Sequence, residues 1–192
     1  MEPKVRAPGR ADDACARMID FQQNHFALFG LPQRFHLDPA RVDQAYRSIQ
    51  SQVHPDRYVH ASDAERRASM QAATRVNEAY RTLKDPLARA RYLLALQRVD
   101  VAAEDNTAMP AEFLTRQMQW RESVEEAAHR PEALVALART LAGEMQERYA
   151  ELERRLDRDA DFALAAATVR ELMFLERLRE AIGDALERSD AA

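Results

Sequence analysis

Apolar residues recur at helical spacing along most of the chain. In the first half, Val42, Tyr46, Ile49 and Val53 follow one another at intervals of four, three and four residues, as they do on one face of an amphipathic helix. A second stripe consists of Ala68, Ala72, Val76, Ala79, Tyr80 and Leu83. No convincing run of alternating apolar residues suggests a strand, so the pattern predicts an all-α fold.

Local signals at the helix ends support this assignment. Asp38-Pro39 combines an N-cap with a proline at the first helical position, and Asp85-Pro86 repeats the combination. Ser62 or Asp63 caps the helix between them, with Glu65 placed for a capping box if Ser62 is the cap. The predicted helices span residues 24–29, 39–53, 63–83 and 86–97.

A weakly periodic connector over residues 99–109 divides the chain into two predicted domains. Residues 1–21 show little periodicity, and we expect a mobile tail there; residues 22–98 form the first domain, and residues 110–192 the second. Three long helices in the second domain begin near residues 110, 131 and 161, and their three-and-four spacing favours a three-helix bundle. The inward stripes of its last two helices comprise Leu134, Leu137, Leu141, Met145, Tyr149, Leu152 and Leu156, and then Phe162, Val169, Leu172, Leu175 or Glu176, Ile182 and Leu186.

Composition excludes several classes of protein. The net charge is −4 and the pI is about 5.8, which argues against a nucleic-acid-binding protein because such proteins need a clustered basic surface. The single cysteine, Cys15, cannot form an internal disulfide, and no Cys/His spacing indicates a metal site. No apolar run approaches the roughly 20 residues of a membrane span, and the N-terminus lacks the apolar core of a secretory signal. We therefore expect a protein of the bacterial cytoplasm, without membrane attachment.

The sequence also gives no support to an enzyme. It contains no recognisable nucleophile–base pair, no Gly-rich phosphate loop and no cluster of metal ligands. We expect neither a cofactor nor catalysis by the isolated chain.

The most informative polar stretch lies between the two helices of the first domain. Pro55 has no N–H and disfavours helical backbone at His54, so the first of these helices should end near Val53. This leaves His54, Pro55 and Asp56 at the tip of a helical hairpin, a position suited to docking a partner. The alternative is a solvated helix–helix turn without a function.

Longer stretches around this triplet resemble a known family. They are Phe26–Pro32, Asn77–Pro86, Arg89–Leu94, Phe113-Leu114, Arg121-Glu122 and Thr168–Leu175. The triplet resembles the loop of a J-domain, and the whole set is similar to the HscB family of iron–sulfur cluster assembly co-chaperones. The resemblance covers residues 24 to about 186. It implies an N-terminal J-domain that stimulates ATP hydrolysis by the DnaK-type chaperone HscA. It also implies a C-terminal bundle that delivers the cluster scaffold protein IscU.

The resemblance implies a chaperone-binding site at the loop. Asp56 would offer its carboxylate to an arginine of the chaperone, His54 would supply hydrogen bonds, and Pro55 would fix the loop. J-domains generally dock through a basic face; here the helix before the loop offers Arg41 and Arg47, and Arg57 follows just past the loop. For each arginine, a solvated surface cation remains the alternative.

A scaffold-binding face is expected on the first helix of the bundle. Leu114, Met118, Glu122 and Glu126 are four residues apart, so they lie along one side of that helix, whereas Phe113, Trp120, Val124 and Ala127 make the better inward stripe. Phe174 lies about 200° from the inward Leu172, which makes it a candidate contact residue unless the buried stripe is wide.

The family pattern favours all five residues, Leu114, Met118, Glu122, Glu126 and Phe174, as scaffold contacts. Thr115 and Gln119 stand where the best-known members of the family have a methionine and a glutamate, and both changes make the expected patch smaller. Two alternatives remain: a J-domain protein whose bundle recruits a different client, and a structural helical adaptor.

Overall fold

The computed structural model describes residues 20–59, 61–101 and 111–190, and within these ranges the regular secondary structure is helical, without strands. The predicted all-α fold is confirmed. In chain order the α-helices are α1 (His25–Leu28), α2 (Pro39–Val53), α3 (Asp63–Lys84), α4 (Pro86–Leu96), α5 (Ala111–Ala127), α6 (Pro131–Arg154) and α7 (Phe162–Asp190). A 3₁₀ turn, Pro55–Tyr58, follows α2, and a π-helical turn, Arg155–Asp159, follows α6.

The helices of the first half begin where their capping residues predict. The Asp38 carboxylate accepts a hydrogen bond from the backbone N–H of Ala40 at 2.9 Å. Ser62 is the N-cap of α3: its hydroxyl accepts from the Glu65 N–H at 3.3 Å, and the Glu65 carboxylate accepts from the Ser62 N–H at 2.8 Å. This reciprocal pair is the capping box that the sequence predicts if Ser62 is the cap.

The described residues divide into two compact units, the first within residues 20–33 and 37–88, the second within residues 34–36 and 89–190. The first domain predicted from the sequence reaches further, to residue 98. At this division the Arg89 guanidinium donates to the Phe35 carbonyl at 2.8 Å and lies 5.3 Å from the centre of the Phe35 ring. The predicted tail up to residue 19 and most of the predicted linker lie outside the described residues, so both assignments remain predictions.

In the first unit, α2 and α3 pack together and support the connection between them. Val42 and Val53 of α2, and Val76 and Leu83 of α3, are buried in its core. Beside this core the rings of Tyr46 and Tyr80 stack with centroids 4.1 Å apart, and the Tyr46 hydroxyl donates to the Asn77 side chain at 2.9 Å. Two packed helices therefore support His54 and the 3₁₀ turn that follows it.

In the second unit, α6 and α7 form the main helix pair and α5 lies against both. Most of the predicted stripe residues are buried: Leu134, Leu141, Met145, Leu152, Val169, Leu172, Leu175 and Ile182. The stripe residues Leu137, Tyr149, Leu156, Phe162, Glu176 and Leu186 are half-buried.

The Asp157 carboxylate, in the π-helical turn after α6, binds backbone N–H groups that are distant in the sequence. Asp157 in this turn accepts hydrogen bonds from the backbone N–H groups of Phe35 at 2.6 Å and His36 at 2.8 Å. Ala160, with φ of 51°, ends the turn just before α7. Residues 34–36 belong to the second unit because of these contacts and the one with Arg89.

Candidate functional site

The loop between α2 and α3 presents His54 and Asp56 of the predicted triplet to solvent. His54 leaves the helix with an extended backbone, φ −61° and ψ 128°, as the following proline requires. Its Nδ1 accepts a hydrogen bond from the Asp56 N–H at 3.3 Å and lies 3.5 Å from Asp56 Oδ2. With Nδ1 facing Asp56, the Nε2 atom on the other side of the ring is left to hydrogen-bond with a partner. The Asp56 side chain is 86% exposed and can meet a cation on another protein.

Three side chains fix this loop by satisfying the last carbonyl groups of α2, which lack partners within the helix. The Arg57 guanidinium donates to the Ser51 carbonyl at 3.0 Å, and the Tyr58 hydroxyl donates to the Gln52 carbonyl at 3.3 Å. The Ser69 hydroxyl, buried on α3, donates to the Val53 carbonyl at 2.8 Å. The loop thus has a defined shape before it meets a partner.

Sequence reasoning missed the contribution of Ser69, although a signal was present. Residues 69, 72, 76, 79 and 83 form the buried stripe of α3, and Ser69 is its one polar member, only 1% exposed. A serine at a core position must find a hydrogen-bond acceptor. Ser69 lies in the second turn of α3, close to the end of α2, and its acceptor is the Val53 carbonyl there.

Nearby groups partly offset the two predicted docking cations. Arg47 and Arg57 are both exposed, but the Arg57 guanidinium is also engaged with α2. A hydrogen bond from Lys84, and a second from Tyr80, hold the pKa of Asp43 below its ordinary value, and the charge of Arg47 adds to the effect. The acidic Asp43 therefore offsets part of the positive charge on this side of α2.

The outward side of α5 combines exposed apolar and acidic residues as the sequence predicts. Leu114 is 50% exposed and Met118 is 63% exposed, whereas Phe113 and Trp120 of the inward stripe are 7% and 8% exposed. Glu122 and Glu126 are exposed further along the same side. Exposed apolar side chains with an acidic margin are typical of a protein-binding surface.

Phe174 of α7 lies at the edge of the core, half-buried, while its neighbours Leu172 and Leu175 are fully covered. Its ring meets the ring of Phe113 edge-on, with centroids 5.8 Å apart and planes at 78°. This contact joins α7 to the start of α5, next to Leu114. The five residues Leu114, Met118, Glu122, Glu126 and Phe174 are called the α5 face below.

Polar contacts between α6 and α7 keep the position of Phe174 defined. Arg148 pairs with Glu171 at 3.1 Å, and the Tyr149 hydroxyl donates to Glu176 at 3.2 Å. Burial raises the pKa of Glu171, although the charge of Arg148 opposes this shift. These pairs lie on either side of Phe174 along α7.

Comparison with protein families identifies both units. Residues 24–92 match the DnaJ domain, and residues 109–183 match the family described as the HSCB C-terminal oligomerisation domain. A chain that joins these two domains is a J-domain co-chaperone. Among curated proteins it is similar to the co-chaperone protein HscB homolog of Aromatoleum aromaticum, 53% identical over 88% of this chain and 97% of the relative. The homolog of Burkholderia multivorans is also 53% identical, over 89% of this chain and 98% of the relative.

The chain therefore belongs to the HscB family of co-chaperones, which confirms the resemblance stated from its sequence. Solved structures agree. Chaperone HscB from Vibrio cholerae superposes with a TM-score of 0.78 at 33% identity, covering 87% of this chain and 99% of that one. Human co-chaperone HscB has a TM-score of 0.81 at 26% identity, covering 86% of this chain and 83% of the human one.

Two features are absent from the described residues. No helix among them has the length and apolar character needed to cross a bilayer. They also contain no group of three or more His, Cys, Asp or Glu side chains arranged to hold a metal ion.

Proposed function

We propose that this protein stimulates the ATPase of the DnaK-type chaperone HscA and delivers the scaffold protein IscU to it during iron–sulfur cluster assembly. The J-domain loop is the chaperone-binding site, and the α5 face is the scaffold-binding site. The protein itself hydrolyses no ATP and acts in the bacterial cytoplasm.

The observation that carries the first half of the proposal is the exposed carboxylate of Asp56 on a pre-shaped loop. The Asp56 carboxylate is 86% exposed, so an arginine of the partner can reach it directly and donate a charge-assisted hydrogen bond to it. The loop pays little conformational entropy on docking, because the carbonyls of residues 51–53 already have their partners. His54 adds a donor beside the carboxylate, and Arg47 and Arg57 add positive charge.

The α5 face supports the second half. Leu114 and Met118 have half or more of their surface in water, and covering them releases that water. Glu122 and Glu126 then select a partner with basic groups around an apolar centre. Phe174 is the aromatic residue of the face, a type enriched at protein–protein interfaces relative to the rest of the surface.

Steady-state ATP turnover tests the proposal. HscA is measured alone, with this protein, with IscU, and with both, and the series is repeated with His54→Gln. We expect stimulation by this protein, greater stimulation with IscU present, and no stimulation by the variant. His36→Gln is the matched control, since His36 is an exposed histidine of the second unit and should behave as wild type.

Each outcome has a defined meaning. Stimulation that does not respond to IscU would keep the chaperone-binding role and indicate a different client for the bundle. No stimulation by folded protein would overturn the proposal and leave a helical adaptor. ATP hydrolysis by this protein without HscA would contradict its assignment as a non-enzyme.

A further inference from the structure

A single carboxylate on α6 connects two turns of α5. Glu144 Oε1 accepts a hydrogen bond from Arg116 Nη1 at 3.1 Å, and its Oε2 accepts from Trp120 Nε1 at 3.2 Å. The two donors are four residues apart, so they lie one above the other on the side of α5 that faces α6. The Glu144 side chain is only 21% exposed, which limits competition from water for either bond.

The buried apolar side chains of α5 form a narrow line. Among its described residues, Phe113, Trp120 and Ala127 are buried and lie seven residues apart, and Val124 beside them is half-buried. A wider stripe, of the kind usual for a core-facing helix, would oppose rocking about that line more strongly. Further contacts therefore help to fix the rotation: Phe113 meets Phe174 towards α7, and Arg116 and Trp120 bond Glu144 towards α6.

Rotation of α5 decides what the α5 face presents. Leu114 and Met118 are roughly 100° and 140° around the helix from Phe113, because successive residues are about 100° apart. A rotation of α5 in either direction would therefore move them relative to Phe174, which belongs to a different helix. A partner that contacts both helices requires them in one fixed arrangement.

We propose that Glu144 is a positioning residue for scaffold binding: by accepting from both Arg116 and Trp120, it sets the rotation of α5 and so aligns Leu114 and Met118 with Phe174. This inference rests on the proposed function, since it assumes that the scaffold binds the α5 face. Glu144 itself need not touch the scaffold.

Two readouts on the full-length protein test the inference. Trp120 is the one tryptophan of the chain, so intrinsic fluorescence reports directly on this contact. In Glu144→Ala we expect a red-shifted emission, stronger quenching by acrylamide, and roughly fivefold to tenfold weaker binding of purified IscU, the size of effect that loss of modest hydrogen bonds produces. Glu144→Gln keeps one carbonyl acceptor and should recover part of both signals. Glu147→Ala, an exposed glutamate of the same helix, should match wild type in both.

A double-mutant cycle with Leu114→Ala separates positioning from a general loss of stability. If Glu144 acts through the α5 face, Glu144→Ala should weaken IscU binding less when Leu114 is already alanine than when it is present. Additive effects, or unchanged emission and affinity in Glu144→Ala, would overturn the inference. If circular dichroism shows that Glu144→Ala does not fold, Glu144→Gln replaces it in the same cycle.

Single variants of the α5 face separate this inference from the proposed function. If Leu114→Ala and Met118→Ala each bind IscU as wild type does, the α5 face is not the scaffold site and the proposed function fails there. If they weaken binding while Glu144→Ala does not, only the positioning role fails.

Discussion

Ser69 shows how one buried hydroxyl supports the J-domain loop. Its bond to the Val53 carbonyl holds the end of α2 on α3, directly before His54. We expect Ser69→Ala to lower the free energy of unfolding by about 1–3 kcal/mol, because the carbonyl of the buried Val53 loses its partner in a place where water replaces it poorly. Urea unfolding followed by circular dichroism measures the change.

A second serine gives the matched control for that prediction. Ser51 is exposed, and its hydroxyl donates only to the Ser48 carbonyl within the same helix. Ser51→Ala should therefore change the free energy of unfolding by no more than about 0.5 kcal/mol. Equal effects of the two substitutions would show that the Ser69 bond contributes little.

At the scale of single residues, the sequence predicted exposure better than it predicted contacts. Leu114 and Met118 were expected at the edge of the α5 stripe, and both are exposed. Arg57 was expected only as a docking cation, yet its guanidinium also binds the Ser51 carbonyl. That contact depends on the path of the 3₁₀ turn, which residue types alone do not specify. The chaperone-binding role of Arg57 remains a prediction.

At the scale of helices, the ends set by local capping were predictable and those set by tertiary contacts were not. Asp38 and Ser62 cap α2 and α3 through groups within three residues, so their sequence pattern is sufficient. The π-helical turn after α6 ends at Ala160 with a positive φ, a conformation usually marked by glycine or asparagine. It is accompanied by the contacts of Asp157 with residues 35 and 36, more than a hundred positions away in the sequence.

Asp43 of α2 is bonded to side chains of α3, and its lowered pKa predicts a pH dependence of stability. It accepts from Lys84 at 2.6 Å and from Tyr80 at 2.9 Å, and these bonds lower its pKa from the ordinary value of 3.8. A carboxylate whose pKa is lower in the folded state stabilises the fold above its ordinary pKa, and this contribution is lost as the pH falls through the lowered value. We expect the stability difference between wild type and Asp43→Asn to be constant above about pH 5 and to shrink below it.

Urea unfolding of both proteins between pH 7 and about pH 2.5 measures this difference across the range where an aspartate titrates. Lys84→Met removes the strongest of the interactions that lower the Asp43 pKa, so it should reduce the pH dependence while leaving Asp43 in place. Parallel curves for wild type and Asp43→Asn across the whole range would contradict the prediction.

At the scale of the whole molecule, both units were predictable because each is marked by local patterns. The loop triplet and its flanking helices indicated the J-domain, and the long three-and-four spacing indicated the bundle. The burial of Arg89, a charged residue on an apolar helix, against Phe35 was not predictable. Nothing in the periodicity of α4 distinguishes that arginine from its exposed neighbour Arg91.

Placing the loop and the α5 face on one chain has a consequence that a mixing experiment can test. A covalent connection converts the second binding event into an intramolecular one, with an effective concentration on the order of millimolar for a short linker. His54→Gln should bind IscU without stimulating HscA, and the double variant Leu114→Ala/Met118→Ala should stimulate HscA without responding to IscU. At micromolar concentrations, a mixture of the two should not recover the scaffold-enhanced ATP turnover of wild type.

The matched control is wild type at half its concentration together with the double variant, which should keep the response to IscU, because intact chains still carry both sites. Full recovery by the mixture of His54→Gln and the double variant would contradict the prediction. It would mean that the chaperone can take the scaffold from one chain while a second chain stimulates ATP hydrolysis. The two sites would then act through assembly of separate copies, and the covalent connection would not be needed for delivery.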